Sequence, residues 1–180
     1  VHIYGHPVDM DPVLEIAAKY NLVVIEDAAE VHGAEYKGRK CGSLGHISAW
    51  SFYANKIITT GEGGMVLTSD SKMAERAASY RNLCFRPERR FYHTELGNNY
   101  RMTNLQAALG VAQMERIEEF ISIKRRLGEY YREKLSSIKG VKTQIEKPWA
   151  KTVYWMYCIE LDRSLGLNAD EMMTKLKQRG

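Results

Sequence analysis

The stretch Asp11-Pro-Val-Leu-Glu-Ile-Ala-Ala-Lys-Tyr-Asn-Leu-Val-Val-Ile-Glu-Asp27 decides the fold class. Asp11 reads as an N-cap and Pro12 as the first helical residue, where a missing N–H costs nothing. Val13, Ile16, Ala17 and Tyr20 follow at helical spacing, and Asn21 ends the helix. Leu22-Val-Val-Ile25 is a short, mostly β-branched apolar run, the pattern of a strand buried on both faces. A helix feeding such a strand is half of a βαβ unit, so the chain reads as α/β. The strand ends at Glu26-Asp27, and in open α/β sheets ligands gather outside the carboxyl ends of strands. A pair of carboxylates therefore stands where a site is expected.

Downstream, residues 33–46 are turn-rich, with Gly33, Gly38, Gly42 and Gly45. Ala49–Tyr53 and Met65–Thr68 read as two further strands. Between them lies Asn55-Lys-Ile-Ile-Thr-Thr-Gly-Glu-Gly-Gly64, too rich in glycine at its end for a regular element. Ser71–Arg81 reads as a helix, and Cys84–Asn99 as a polar, aromatic, basic loop. Thr103-x-x-Gln106 is a capping box opening a long helix, which Gly128 is expected to kink or divide. Val153, Trp155, Tyr157, Ile159 and Leu161 alternate as in a strand with unlike faces, and Asn168-x-x-Glu171 starts a last helix stopping at Gly180. One strand and one helix bury too little to stand as a domain. Both flanks of a longer protein are therefore expected.

Composition excludes several classes. No apolar run approaches a bilayer-spanning length, and no basic-then-apolar secretory signal opens the chain. The net charge of +4 suits anionic substrates but is too small to imply nucleic acid. Of the two basic clusters, Lys124–Arg126 reads as a solvated helix face, and Arg86–Arg90 lies in the loop. Three widely separated cysteines form neither a disulfide framework nor a zinc pattern, which points to a reducing cytoplasm. The five histidines match no common zinc spacing, so no metal is expected.

Lys56 follows the apolar Ala49-Trp-Ser-Phe-Tyr53 and precedes Ile57-Ile58. Apolar surroundings favour the neutral amine, which is nucleophilic towards carbonyls, as an aldehyde cofactor requires. Asp27, closing its strand, is placed to keep the ring nitrogen of pyridoxal phosphate protonated, though a cap or loop salt bridge explains it equally well. Ser51, five residues ahead of Lys56, can donate to a phosphate. Thr59, Thr60 and Gly61–Gly64 add hydroxyls and backbone amides, but their spacing fits neither the NTPase phosphate loop nor the dinucleotide fingerprint. His32 follows Asp27 closely enough to line the same pocket, or to make a structural hydrogen bond.

Taken in order, Glu26-Asp-Ala-Ala-Glu-Val-His-Gly-Ala34, Gly42-Ser-Leu-Gly45, Ser51-Phe-Tyr-Ala-Asn-Lys56, Thr59-Thr-Gly-Glu-Gly-Gly64 and Gly97-Asn-Asn-Tyr-Arg-Met-Thr103 resemble the DegT/DnrJ/EryC1/StrS sugar aminotransferases. The resemblance implies a fold-type-I transferase dependent on pyridoxal phosphate: part of a large, mainly parallel sheet domain over residues 1–135, including the long helix, then the beginning of a small C-terminal domain over 136–180. It implies an obligate homodimer with shared active sites. It makes Lys56 the cofactor-bearing and proton-moving residue, Asp27 the partner of the ring nitrogen, Glu30 a residue packed by the ring, Ser51 a phosphate ligand, and Asn99 a phosphate ligand across the dimer. Asp27–Glu30 and Ser51–Lys56 most resemble the members that make perosamine, implying amino transfer from glutamate to C4 of a GDP-linked 4-keto-6-deoxymannose. His32, Arg86, Arg89, Arg90, His93 and Arg101 are then the candidates to meet the nucleotide sugar. The alternatives are another nucleotide keto sugar or amino position, or a non-catalytic relative; retention of Lys56 and Asp27 speaks against the last. The helix N-terminus that the family implies as a phosphate cradle is not among these 180 residues.

Overall fold

A computed structural model describes all 180 residues. The first helix, α1 (Met10–Tyr20), is followed by β1 (Ile25–Asp27), β2 (Glu35–Tyr36), β3 (Arg39–Lys40), β4 (Ile47–Ser51) and β5 (Gly64–Thr68). Next come α2 (Ser71–Arg81), the hairpin β6 (Phe85–Arg86) and β7 (Arg89–His93), α3 (Asn104–Met114) and α4 (Ile117–Leu135). The chain ends with β8 (Val141–Thr143), β9 (Ala150–Lys151), β10 (Ile159–Leu161) and α5 (Ala169–Lys177). No helix is long and apolar enough to cross a membrane.

The α/β class stands, with two differences in detail. The central sheet has the order β1-β4-β5, in which β1 and β4 run parallel and β5 antiparallel. Within this chain the sheet is therefore mixed rather than mainly parallel. The apolar run before Asp27 is not buried on both faces: Ile25 is 68% exposed, and Leu22 and Val23 are exposed too. The reason is geometric, since β1 has a neighbour on one edge only and no layer covers the face that carries Ile25.

The starts of α2, α3 and α5 follow local side-chain chemistry, while α1 and α4 have no side-chain cap. Thr103 and Asn168 close the capping boxes at α3 and α5, and Asp70 caps α2 by accepting from the Met73 amide. At α1 the N-cap is Asp9, not Asp11, and it makes no side-chain cap bond. Its carboxylate instead accepts the Tyr36 hydroxyl at 2.6 Å, while Asp11 pairs with Lys37 from within the first turn. The last helix stops at Lys177, short of Gly180. The 84–99 segment is not all loop, because Phe85–Arg86 and Arg89–His93 pair as a hairpin.

The long helical pattern divides at Glu115–Arg116, between α3 and α4, and not at Gly128. Gly128 is buried under Tyr154, and a Cβ there would stand 2.5 Å from Tyr154 Cδ2. Glycine is thus a packing requirement rather than a break. Gly128→Ala is expected to cost about 1–3 kcal/mol by overpacking, read as a lower denaturation midpoint; an unchanged midpoint would show that Tyr154 yields freely.

The expected strand through Val153 is likewise displaced. Thr152, Val153 and Tyr154 are fully buried in irregular backbone between β9 and β10, with the Val153 amide and the Thr152 hydroxyl both donating to the Gly5 carbonyl. β9 adds a strand to β2, and β8 pairs with β10. Val153 joins Met10, Val31, Tyr36, Leu44 and Ile121 in the main core. The Lys124–Arg126 cluster is not a solvated face either. Lys124 donates to the Trp155 carbonyl at 2.9 Å, and Arg125 binds both Glu146 and the Thr152 carbonyl. Only Arg126 faces solvent.

Candidate active site at the carboxyl edge of the central sheet

Strand register builds the platform. Asp27 lies opposite Ala49, and Ser51 is two residues beyond Ala49 on the same strand. Side chains alternate along a strand, so Asp27, Ala49 and Ser51 project from one face at the carboxyl end of β1 and β4. The other face carries Glu26, Ser48 and Trp50. Asp27 is exposed, with one carboxylate oxygen accepting from the Ala29 amide at 3.2 Å. The Ser51 hydroxyl oxygen accepts from the Tyr53 amide at 3.3 Å, leaving its proton to donate elsewhere.

Glu26, the other half of the carboxylate pair, does not belong to this site. It is 3% exposed and accepts from the amides of Gly42, Leu44 and Gly45, while its Oε2 lies 2.9 Å from His2 Nε2. Burial raises its pKa, but the His2 contact and the three amides outweigh this, and the net effect is below the usual carboxylate range. It anchors the glycine-rich 42–45 turn, a structural task.

From Ser51 the chain leaves the sheet into the turn that presents Lys56, whose amide donates to the Tyr53 carbonyl at 3.0 Å. Lys56 is half-buried, and its Nζ lies 4.0 Å from the centroid of the Trp155 ring. The returning limb is fastened to α3: the Thr59 amide donates to Gln113, and Gln106 donates to the Glu62 carbonyl. The Thr59 hydroxyl donates to the Phe52 carbonyl and that of Thr60 to the Glu62 carbonyl. Both threonine protons are therefore spent inside the loop rather than offered to a phosphate.

His32 does not share the face of Asp27. It packs edge-on against Trp50 at 5.1 Å, on the side facing α3 and α4, lining a cavity of about 550 Å³ with Met65, Leu67 and Ile121. It is 2% exposed, which puts it out of reach of a substrate on the sheet's other face, and neither ring nitrogen has a hydrogen-bond partner. Burial, reinforced by the nearby Lys56 charge, holds its pKa down at about 4. The folded pKa lies below the unfolded value, so the stability contributed by burying the neutral ring is full above the ordinary histidine value of 6.5 and is lost as pH falls towards 4. One imidazole in the NMR titration is expected to have its midpoint near 4 and to vanish in His32→Phe; five ordinary midpoints would refute the assignment.

Glu30 is half-buried and accepts the Tyr4 amide at 2.6 Å. Asn99 and Arg101 hold one another, with Arg101 Nε donating to the Asn99 side chain at 2.8 Å. Arg86, Arg90 and Arg101 line an open hollow of about 620 Å³ with Ser79, Asn82 and Thr94. Arg89 stacks on Tyr92 beside Arg86, and His93 Nδ1 lies 2.6 Å from the Leu83 carbonyl, so His93 faces the hairpin. The structure thus gathers Asp27, Ser51 and the Lys56 turn at one sheet edge, and Arg86, Arg90 and Arg101 in a second, basic hollow. Trp155 and Tyr4, stacked at 6.4 Å beside Lys56, escaped the sequence reading because each is far from Lys56 along the chain.

All three cysteines are unpaired, and burial pushes the Cys41 thiol up to about 12, so it offers no nucleophile. The donor set suits a pyridine aldehyde phosphate: an amine on a tethered turn, a carboxylate with an uncommitted oxygen, and a hydroxyl with a proton to give.

The model of the DegT/DnrJ/EryC1/StrS aminotransferase family matches residues 1–180. The GDP-perosamine synthase of Caulobacter vibrioides is 44% identical over 184 residues, covering 100% of this chain and 49% of that protein. The aminotransferase TlmJ from Streptoalloteichus hindustanus superimposes with a TM-score of 0.91 at 30% identity, over 99% of this chain and 48% of that one. DesV of S. venezuelae, solved in complex with a ketimine intermediate, gives a TM-score of 0.89 at 32% identity, over 99% and 46%. The chain spans about half the length of the curated relatives it matches. It belongs to the DegT/DnrJ/EryC1/StrS aminotransferase family, a family of pyridoxal-phosphate-dependent sugar aminotransferases.

Proposed function

We propose that the protein uses pyridoxal phosphate to move an amino group from glutamate to C4 of a nucleotide-linked 4-keto-6-deoxy sugar, as a GDP-perosamine synthase does. The observation that carries the reading is the strand register, which sets Asp27 and Ser51 on one face immediately before the turn holding Lys56. When bound, the cofactor supplies an electron sink that lets a carbon–nitrogen bond pass between donor and acceptor. Lys56 would hold the cofactor through Nζ, the carbonyl oxygen leaving as water, and would afterwards move the proton; Asp27 would hold a proton at the ring nitrogen, and Ser51 Oγ would donate to the phosphate. Glu30 lies beside the ring while keeping the Tyr4 amide. Arg86, Arg90 and Arg101, which line one hollow, meet the substrate diphosphate, with Arg89 beside them, guanidinium groups being suited to bidentate phosphate contact. A homodimer would let Asn99 reach the phosphate of the other subunit. We also propose that residues 1–135 belong to the large domain and 136–180 to the small one, with residues 150–155 tying them together.

The test is the visible spectrum of the purified protein with pyridoxal phosphate, before and after glutamate. A band that requires Lys56 and is discharged by glutamate supports the reading; a band unaffected by Lys56→Ala overturns it. Assays with GDP-, UDP- and dTDP-linked keto sugars then identify the nucleotide.

A further inference from the structure

We infer that Trp155 is a positioning residue for Lys56, a strap from the C-terminal part of the chain that fixes both the turn and the amine. This rests on the reading of Lys56 as the cofactor-bearing lysine. Trp155 makes two separate contacts with that turn: its ring lies 4.0 Å from Lys56 Nζ, and its indole N–H donates to the Asn55 carbonyl at 2.9 Å. The first holds the charged end of the side chain, because the ring face attracts an ammonium. The second holds the backbone one residue ahead. Together they restrict a side chain that otherwise has many rotamers, and so lower the ordering cost of presenting its nitrogen in one place.

The indole is itself held. Tyr4 stacks on it at 6.4 Å with 20° between planes, and the Tyr4 amide is fixed by Glu30 at 2.6 Å. Lys124 donates to the Trp155 carbonyl at 2.9 Å from α4. Gly5 lets the backbone approach, since a Cβ there would stand 2.7 Å from the Trp155 amide nitrogen. Upstream, Thr152 and Val153 are tied to the Gly5 carbonyl. Three distant parts of the chain therefore converge on Trp155, two of them through its backbone, and its ring rests on the proposed reactive amine. A tryptophan serving packing alone does not require its N–H to cap the residue before Lys56 while its face covers Lys56 Nζ.

The test compares the unsubstituted chain with Trp155→Leu and Trp155→Phe, each first shown to be folded by its thermal melt. Lysines are labelled with limiting acetic anhydride without cofactor and quantified one by one by peptide mass spectrometry, with the exposed Lys72 and Lys139 as internal references. Lys56 is expected to label about 3–5-fold faster relative to the references in Trp155→Leu, and to stay near the unsubstituted rate in Trp155→Phe, which keeps an aromatic face. An unchanged Lys56 rate in folded Trp155→Leu overturns the inference. If the leucine chain does not fold, the phenylalanine chain decides: Lys56 labelled at the reference rate there overturns it. In a second arm, pyridoxal phosphate and borohydride are added and pyridoxyl mass is sought at Lys56. Its absence from the unsubstituted chain overturns the functional reading instead, while the cofactor-free labelling still judges the role of Trp155.

Discussion

Lys56→Ala is expected to lower glutamate-dependent amino transfer by at least about 10³-fold, because one nitrogen is assigned two tasks. In the proposed function it would bond the cofactor carbonyl and carry the proton between carbon atoms during transfer. Removing a positioned acid–base group alone typically costs about 10²–10⁴-fold, and loss of the covalent attachment adds to this. Lys56→Arg is expected to fail equally, since a guanidinium stays protonated and is no nucleophile. Folding is expected to survive, because Lys56 lies in a turn, half-buried, and its backbone bond to Tyr53 does not need the side chain. Single-turnover measurements of amino transfer, with the thermal melt as control, check both parts. Turnover within tenfold of the unsubstituted protein would remove Lys56 from the chemistry.

Glu26→Gln is expected to lower stability by about 2–3 kcal/mol, the cost of leaving buried donors that had met a carboxylate unsatisfied. The carboxylate accepts from three backbone amides and meets His2, which in turn accepts the Val8 amide at 3.0 Å. An amide side chain keeps the shape but replaces one acceptor oxygen with a donor aimed at other donors, leaving buried N–H groups unpaired. In a chain of this length the loss corresponds to a fall in Tm of order 10 °C. Because the folded pKa of Glu26 lies below its unfolded value of 4.5, its contribution is fully present above that pH and is lost as pH falls through the folded value. Urea midpoints at neutral and acidic pH should therefore converge for the two proteins as acid is added. A constant gap would mean that the carboxylate charge plays no part.

Much of the local structure was legible. α2 runs over the expected Ser71–Arg81, and both capping boxes form, because a helix start is decided within four residues by its own donors and acceptors. The order of Asp27, Ser51 and Lys56 along the chain also led to the proposed site, since period-two alternation turns the register of Asp27 and Ser51 directly into a face. Less legible were residues whose role depends on what arrives from elsewhere. Glu26 and Asp27 are neighbours of the same charge type, yet one anchors a turn and the other faces outward. His32 follows Asp27 by five positions but lies behind the sheet among Trp50 and Phe52. Lys124 and Arg125 resemble any basic helix face until Glu146, Thr152 and Trp155 fold onto them.

The sequence by itself determined the α/β class, the two capping boxes and the family to which the ordered motifs belong, and it singled out the lysine and aspartate on which the proposed chemistry rests. These depend on short-range spacing, which survives in a one-dimensional reading. Only the tertiary structure decided that Gly128 makes room for Tyr154, that β9 closes onto β2, and that Trp155 reaches back a hundred residues to Asn55. Such contacts join segments whose separation leaves no periodic trace, and each forms only when packing elsewhere has brought the two segments within reach.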